Sequence, residues 1–204
     1  MKHLAAISLG AALLVAAPAF TQPAPPAAGP QVVRGVITGV TPASLNLTSR
    51  EGKAVTVGLT KDWSVQVLKP ITAADIQVGS FIGTAEMPQA DGSGRSLEVH
   101  VFPPGVKMGE GHYGWDLKKG SMMTNGTVGK VVASANGREL DVSYSTGARH
   151  IVVPAKVPIV QITPGDRTQL KPGVKVFLVA GKTPAGDLVT NGVAIGENGK
   201  APPM

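Results

Sequence analysis

The chain has 204 residues, no cysteine, and 19 basic against 13 acidic residues, which gives a formal net charge of +6. The absence of cysteine excludes disulfide bonds, thiolate metal sites, cysteine nucleophiles and lipid attachment at a cysteine. The basic residues are scattered along the sequence and form no run, a pattern that favours solubility over a polyanionic partner.

The first 19 residues have the pattern of a cleavable secretory signal peptide. Lys2 and His3 precede an uncharged apolar run, and Ala17-Pro18-Ala19 offers a small-x-small cleavage site, so we expect cleavage near Ala19. The run is shorter than the roughly 20 apolar residues that a spanning helix needs. We therefore expect a periplasmic or secreted protein whose mature chain has no transmembrane span.

Residues 20–30 are rich in Pro and Ala and are interpreted as a linker. Beyond them, short runs of alternating apolar and polar residues recur, such as VVRGVITGV, SLNLTS and SLEVHVF. These runs contain many Val and Thr residues and are separated by Gly and Pro, which is typical of strands joined by tight turns. The sequence predicts an all-β protein.

The same pattern occurs twice. Gly35 corresponds to Gly126, Leu45-Asn46-Leu47 to Leu140-Asp141-Val142, and Val99-His100-Val101 to Val193-Ala194-Ile195, at offsets that stay between 91 and 95 residues. A constant offset over the whole unit predicts a duplicated domain. The predicted organisation is repeat 1 at 31–102, a Gly-rich inter-domain segment at 103–125, repeat 2 at 126–198 and a tail at 199–204.

Each repeat has the strand pattern of a small OB-like barrel. A three-residue spacing between Ile37 and Val40 predicts a bulge in the first strand, and a brief helical turn is expected near Ala73. Three strands, a longer connection and two further strands are typical of the five-stranded OB-type barrel. We expect two tandem barrels, each closed by its own repeat and docked on the other.

Several strings resemble a known family. EVHVFPP, GEGHYGWDL and GSMMTNGTV, followed by LKPGVKVF and APPM, resemble exported proteobacterial proteins of unknown function that carry tandem OB-like domains behind a signal peptide. The resemblance implies this fold and this location, but no activity. The strand order is also similar to that of small periplasmic OB-type copper chaperones, which implies a likeness of fold alone.

One cluster of side chains suggests metal chemistry. Met108, His112, Met122 and Met123 lie close together in sequence, and His100 lies just upstream. Thioether and imidazole groups suit Cu(I), so these five residues are the candidate copper ligands. The favoured alternative is that the methionines provide adaptable packing where the two barrels meet.

No enzyme motif is present: the sequence has neither G-x-S-x-G nor H-E-x-x-H, and its carboxylates are single and mostly in turns. The scattered aromatic residues do not form the stacking platform that single-stranded nucleic acids require, so we expect no nucleic-acid partner. Three functions remain open. The first is a non-enzymatic envelope binding module, with an envelope protein or polymer as its partner and no cofactor. The second is a copper-binding protein, and the third is a purely structural duplicate without a pocket.

Overall fold

The computed structural model describes residues 29–134 and 137–204. The predicted signal peptide and nearly all of the predicted linker lie outside these residues. Within them the protein is all-β, as predicted, and no helix is long and apolar enough to cross a bilayer. The strands are β1 (Gln31–Val40), β2 (Ser44–Ser49), β3 (Ala54–Pro70), β4 (Phe81–Pro88), β5 (Gly94–Val101), β6 (Gly111–Gly114), β7 (Met122–Ser134), β8 (Gly137–Tyr144), β9 (Gly147–Pro154), β10 (Ile159–Gly165), β11 (Lys175–Lys182) and β12 (Leu188–Gly196).

Short 3₁₀ turns connect some of these strands. One covers Ala73–Asp75, where a helical turn was predicted, and the others cover Arg167–Gln169 and Glu197–Gly199. The predicted bulge is also present: the β1–β2 register shifts between Ile37 and Gly39. The equivalent β7–β8 pairing of repeat 2 is shifted in the same way.

The first barrel is a closed ring of five strands in the order β1-β2-β3-β12-β11, in which β11 pairs with β1 to complete the circle. Pairings are antiparallel except between β3 and β12, which run parallel. Its core is aliphatic and includes Ile37, Leu45, Leu47 and Leu178. This ring has the strand order of an OB-type barrel.

The second barrel has the corresponding order β7-β8-β9-β5-β4, closed between β4 and β7 and by a short parallel contact between β5 and β9. Ile82, Leu140 and Ile151 are fully buried in its core. The additional strand β6, formed by the inter-domain segment, pairs with the start of β7. A third apolar cluster, which includes Leu68, Ile162 and Phe177, lies where the two barrels meet.

The strands that form each barrel differ from the prediction, which was that each repeat would close a barrel with its own strands. Each barrel takes three strands from one repeat and its last two from the other, because β4 and β5 complete the second barrel and β11 and β12 complete the first. In repeat 1 the crossing is made by β3, which continues for 17 residues without a turn. At about 3.3 Å per residue, such a strand carries the chain out of one barrel and into the other.

The strand register has the internal symmetry that a duplication requires. β3 and β10 are equivalent segments, and they pair antiparallel with each other, Val65 opposite Gly165 and Val160 opposite Pro70. The contact of Leu188 with Val57 in the first barrel corresponds to that of Gly94 with Ile151 in the second. The two repeats are therefore related by an approximate twofold axis that passes between β3 and β10.

Candidate functional site

A cleft of about 1110 Å³ lies between the two barrels. Outer faces of both barrels line it, and the inter-domain segment and the C-terminal residues cover part of it. More than half of its side chains are aromatic, aliphatic or thioether groups. The polar ones are Ser64, Gln66, His100, Asp116, Ser121, Asn125, Thr190 and Asn191. The larger apolar ones are Phe102, Met108, Trp115, Met122, Met123, Ile162, Phe177 and Met204.

One wall of the cleft is the outer face of the second barrel. Because alternate residues of a strand point to opposite faces, residues paired across neighbouring strands form rows on that face. The first row across β5, β4, β7 and β6 is His100, Gly83, Asn125 and Gly111. The second row is Glu98, Ala85, Met123 and Tyr113. The small residues in β4 leave space between the larger side chains on either side.

His100 and Glu98 form a buried pair in this wall. The Nδ1 atom of His100 lies 3.1 Å from Oε2 of Glu98, and the backbone N–H of Ala85 donates to Oε1 of Glu98 over 2.8 Å. Glu98 is completely buried and His100 is 4 % exposed. The carboxylate fixes the orientation of the imidazole ring and leaves Nε2 above Gly83.

Asn125 lies beside His100 in the same row. Its Nδ2 donates to the carbonyl oxygen of Gly109 and to the hydroxyl oxygen of Tyr113, each over 2.8 Å. Its Oδ1 is buried and accepts no hydrogen bond from the residues that the structure describes. Burial raises the pKa of Tyr113, an effect that the hydrogen bond from Asn125 opposes.

Aromatic rings and Arg34 hold the inter-domain segment against the first barrel. The Trp115 ring lies 6.3 Å from that of Phe177, and the Arg34 guanidinium lies 5.8 Å and 5.3 Å from their respective centres. Arg34 also forms a 2.7 Å ion pair with Asp116, and its Nε donates to the Met204 oxygen over 2.6 Å. The charge of Arg34 is therefore compensated beside the cleft.

The structure brings four of the five candidate copper ligands to this cleft. Met108, Met122, Met123 and His100 all line it. His112 does not: it neighbours Tyr113 on β6, so its side chain points to the other face, where Nδ1 contacts Oγ1 of Thr124 over 2.8 Å. No group of three His, Cys, Asp or Glu residues suited to a metal occurs in residues 29–134 and 137–204.

His112 belongs instead to a second polar cluster, at one end of the second barrel. Arg149 Nε donates to Oε1 of the buried Glu86 over 2.7 Å, and His112 Nδ1 lies 3.9 Å from the same oxygen. Burial raises the pKa of Glu86 in spite of the neighbouring arginine. Burial, together with the charge of Arg149, lowers the pKa of His112.

Sequence reasoning missed Asn125, which lines the cleft, and Glu98, which contacts His100 Nδ1 behind that lining. Glu98 was detectable in principle, because it precedes His100 by two residues in a predicted strand and so shares its face. Asn125 had no such signal, since its position beside His100 depends on the pairing of β4 with β7.

Comparison of the chain with protein-family models, curated proteins and solved structures finds no match. The resemblance to exported proteobacterial proteins stays a prediction.

Proposed function

We propose that this protein is a non-enzymatic binding module, exported to the periplasm or beyond, that holds an apolar envelope molecule in the cleft between its two barrels. The cleft is the observation that carries the proposal. Its volume of about 1110 Å³ is slightly above the roughly 300–1,000 Å³ that is usual for ligand sites, and such sites favour domain interfaces. A purely structural duplicate would have this interface filled.

The lining favours an elongated, uncharged apolar body as the occupant. Trp115, Phe177 and Phe102 offer aromatic surface, and the flexible methionines adapt to irregular shapes. Arg34, the nearby cation, is already paired with Asp116, so it offers little attraction to an anion. A cleft of this size suits a single small amphiphile or one acyl chain better than the face of a folded protein.

An apolar fluorescent probe, N-phenylnaphthylamine, tests this proposal on the mature chain. We expect saturable binding to the wild type and to Gly181→Trp, and affinity at least about tenfold lower in Gly192→Trp. Gly192 lines the cleft and Gly181 does not, yet both have open space where a side chain would begin. The new indole thus occupies the cleft in one variant only. Equal binding by the two variants, or no saturable binding by the wild type, would contradict the proposal.

A second candidate function is the binding of Cu(I), because Met108, Met122, Met123 and His100 line one cleft. Thioether and imidazole ligands select this ion, and a carboxylate such as Glu98 is the usual outer partner of a ligating histidine.

Anaerobic titration with Cu(I) tests this candidate by following bound metal and Trp fluorescence together. We expect stoichiometric uptake by the wild type and by His112→Ala, whose altered residue lies off the cleft. The double variant Met122→Leu/Met123→Leu should lose this uptake, because Leu keeps the apolar volume and removes both thioethers. No stoichiometric uptake by the wild type would rule out the copper function and leave the apolar-ligand proposal intact.

A further inference from the structure

The polar end of the cleft is a notch above Gly83, between His100 and Asn125. A Cβ atom on residue 83 would stand 2.1 Å from His100 Nε2 and 2.2 Å from Asn125 Oδ1. Both side chains are at least nine-tenths buried, at 4 % and 5 % exposure, and both line the cleft. Only glycine allows the two polar atoms to approach each other here.

Both atoms in this notch are hydrogen-bond acceptors. Oε1 of Glu98 accepts from the Ala85 backbone N–H, and Oε2 faces His100 Nδ1. In the tautomer that places the ring proton on Nδ1, toward this carboxylate oxygen, Nε2 has the free lone pair. Asn125 cannot reverse its amide, because the Gly109 carbonyl that faces Nδ2 can only accept. Its Oδ1 therefore stays directed at the notch.

No described residue donates to Asn125 Oδ1, and this oxygen is buried. Buried acceptors without a donor are costly and are rare in native proteins, where such an atom points to a functional role or to a water or ion that binds there. Two acceptors side by side require a donor from outside the chain. A carboxylate ligand has only acceptor oxygens and cannot supply this donor, so it is disfavoured at this end of the cleft.

We infer that the ligand of this cleft carries a hydrogen-bond-donating head group, a hydroxyl or an amine, which binds between His100 Nε2 and Asn125 Oδ1. Its apolar body lies along the thioether and aromatic wall formed by Met123 and Trp115. This inference rests on the proposed function and adds the chemistry of the head group. The site selects against carboxylates, and therefore against free fatty acids.

Four ligands with the same ten-carbon chain test the inference by displacing N-phenylnaphthylamine: 1-decanol, decylamine, decyl methyl ether and decanoate. We expect decanol or decylamine to bind at least about tenfold more tightly than the ether, which has no donor, and decanoate to bind no better than the ether. The alcohol and amine arms identify which donor the site prefers. Equal affinity for the alcohol, the amine and the ether would overturn the inference.

Two alanine variants assign the preference to the notch. Gly83→Ala places a methyl group against His100 and Asn125, so the preference for the donor ligands should disappear. Gly181→Ala is the matched control: Gly181 lies off the cleft, a methyl group there meets no atom within 4 Å, and this variant should keep the preference. If Gly83→Ala folds and still prefers the donor ligands, the preference does not arise at the notch. If Gly83→Ala does not fold, the comparison of the four ligands on the wild type tests the inference by itself. Failure of the probe itself to bind would contradict the proposed function instead.

Discussion

At the residue scale, the two repeats differ most where they face the cleft. Glu98 and His100 of repeat 1 correspond to Gly192 and Ala194 of repeat 2. His100, Gly192 and Ala194 line the same cleft, whereas Glu98 does not. One copy thus supplies buried polar groups, whereas the other supplies small residues that leave room opposite them. Such a division of roles is what a ligand site between two diverged copies requires.

His112 should make the stability of the protein depend on pH. Burial lowers the pKa of its imidazole in the folded state, whereas in the unfolded chain it titrates near about 6.5. Between these two values the unfolded state binds more protons, so the free energy of unfolding decreases as the pH falls below about 6.5. We expect this decrease, measured by urea denaturation, to be smaller in His112→Asn. An equal decrease in the free energy of unfolding for the wild type and His112→Asn would contradict the assignment to His112, since Glu86 titrates in both proteins.

At the element scale, β3 determines which strands meet. Its first half pairs with β2 and with the start of β12, and its second half pairs with the rest of β12 and with β10. It therefore belongs to the first barrel and to the junction. The alternation of AVTVGL and SVQV predicted strands here. The sequence did not predict that these two runs would form one continuous strand, because the residues between them, Thr60 to Ser64, have no regular apolar alternation. In repeat 1 this continuous strand carries the chain past its own barrel.

The conformation of the inter-domain segment also depends on how its residues pair with a neighbouring strand. The sequence predicted a Gly-rich inter-domain segment at 103–125, and the structure forms β6 there against β7. Which of its side chains face the cleft follows from register alone. Tyr113 lies opposite Met123 on the cleft side, and His112 lies opposite Thr124 on the other.

At the scale of the whole molecule, the exchange of strands makes the two barrels interdependent. Neither repeat contains all five strands of a barrel, so neither barrel can close while the other half of the chain is unfolded. Two independent tandem domains would unfold separately, whereas this arrangement should unfold as one cooperative unit.

Leu45→Ala tests this interdependence. Leu45 is fully buried in the first barrel, and the change should cost about 2–5 kcal/mol. We expect a single denaturant transition at a lower midpoint, and an equal loss of amide protection in β8 and β9 of the second barrel, measured by hydrogen exchange. Val78→Ala, at an exposed position, should leave both quantities nearly unchanged. A second transition with unchanged protection in β8 and β9 would show that the barrels are independent.

The sequence by itself determined the strands, the bulge, the duplication and the aliphatic cores. These features depend on local alternation and on residues near in sequence, which a linear pattern records. It also brought together Met108, Met122, Met123 and His100 as candidates, although their common location depends on the fold.

Only the tertiary structure decided that β4 and β5 complete the barrel of the other repeat, and that His100 and Asn125 meet above Gly83. Two corresponding strand pairs, β4–β5 and β11–β12, could complete each barrel with the same order of pairing. The choice therefore depends on the path of the connecting strand and on how the two barrels pack. Those are properties of the assembled chain, and no local sequence pattern encodes them.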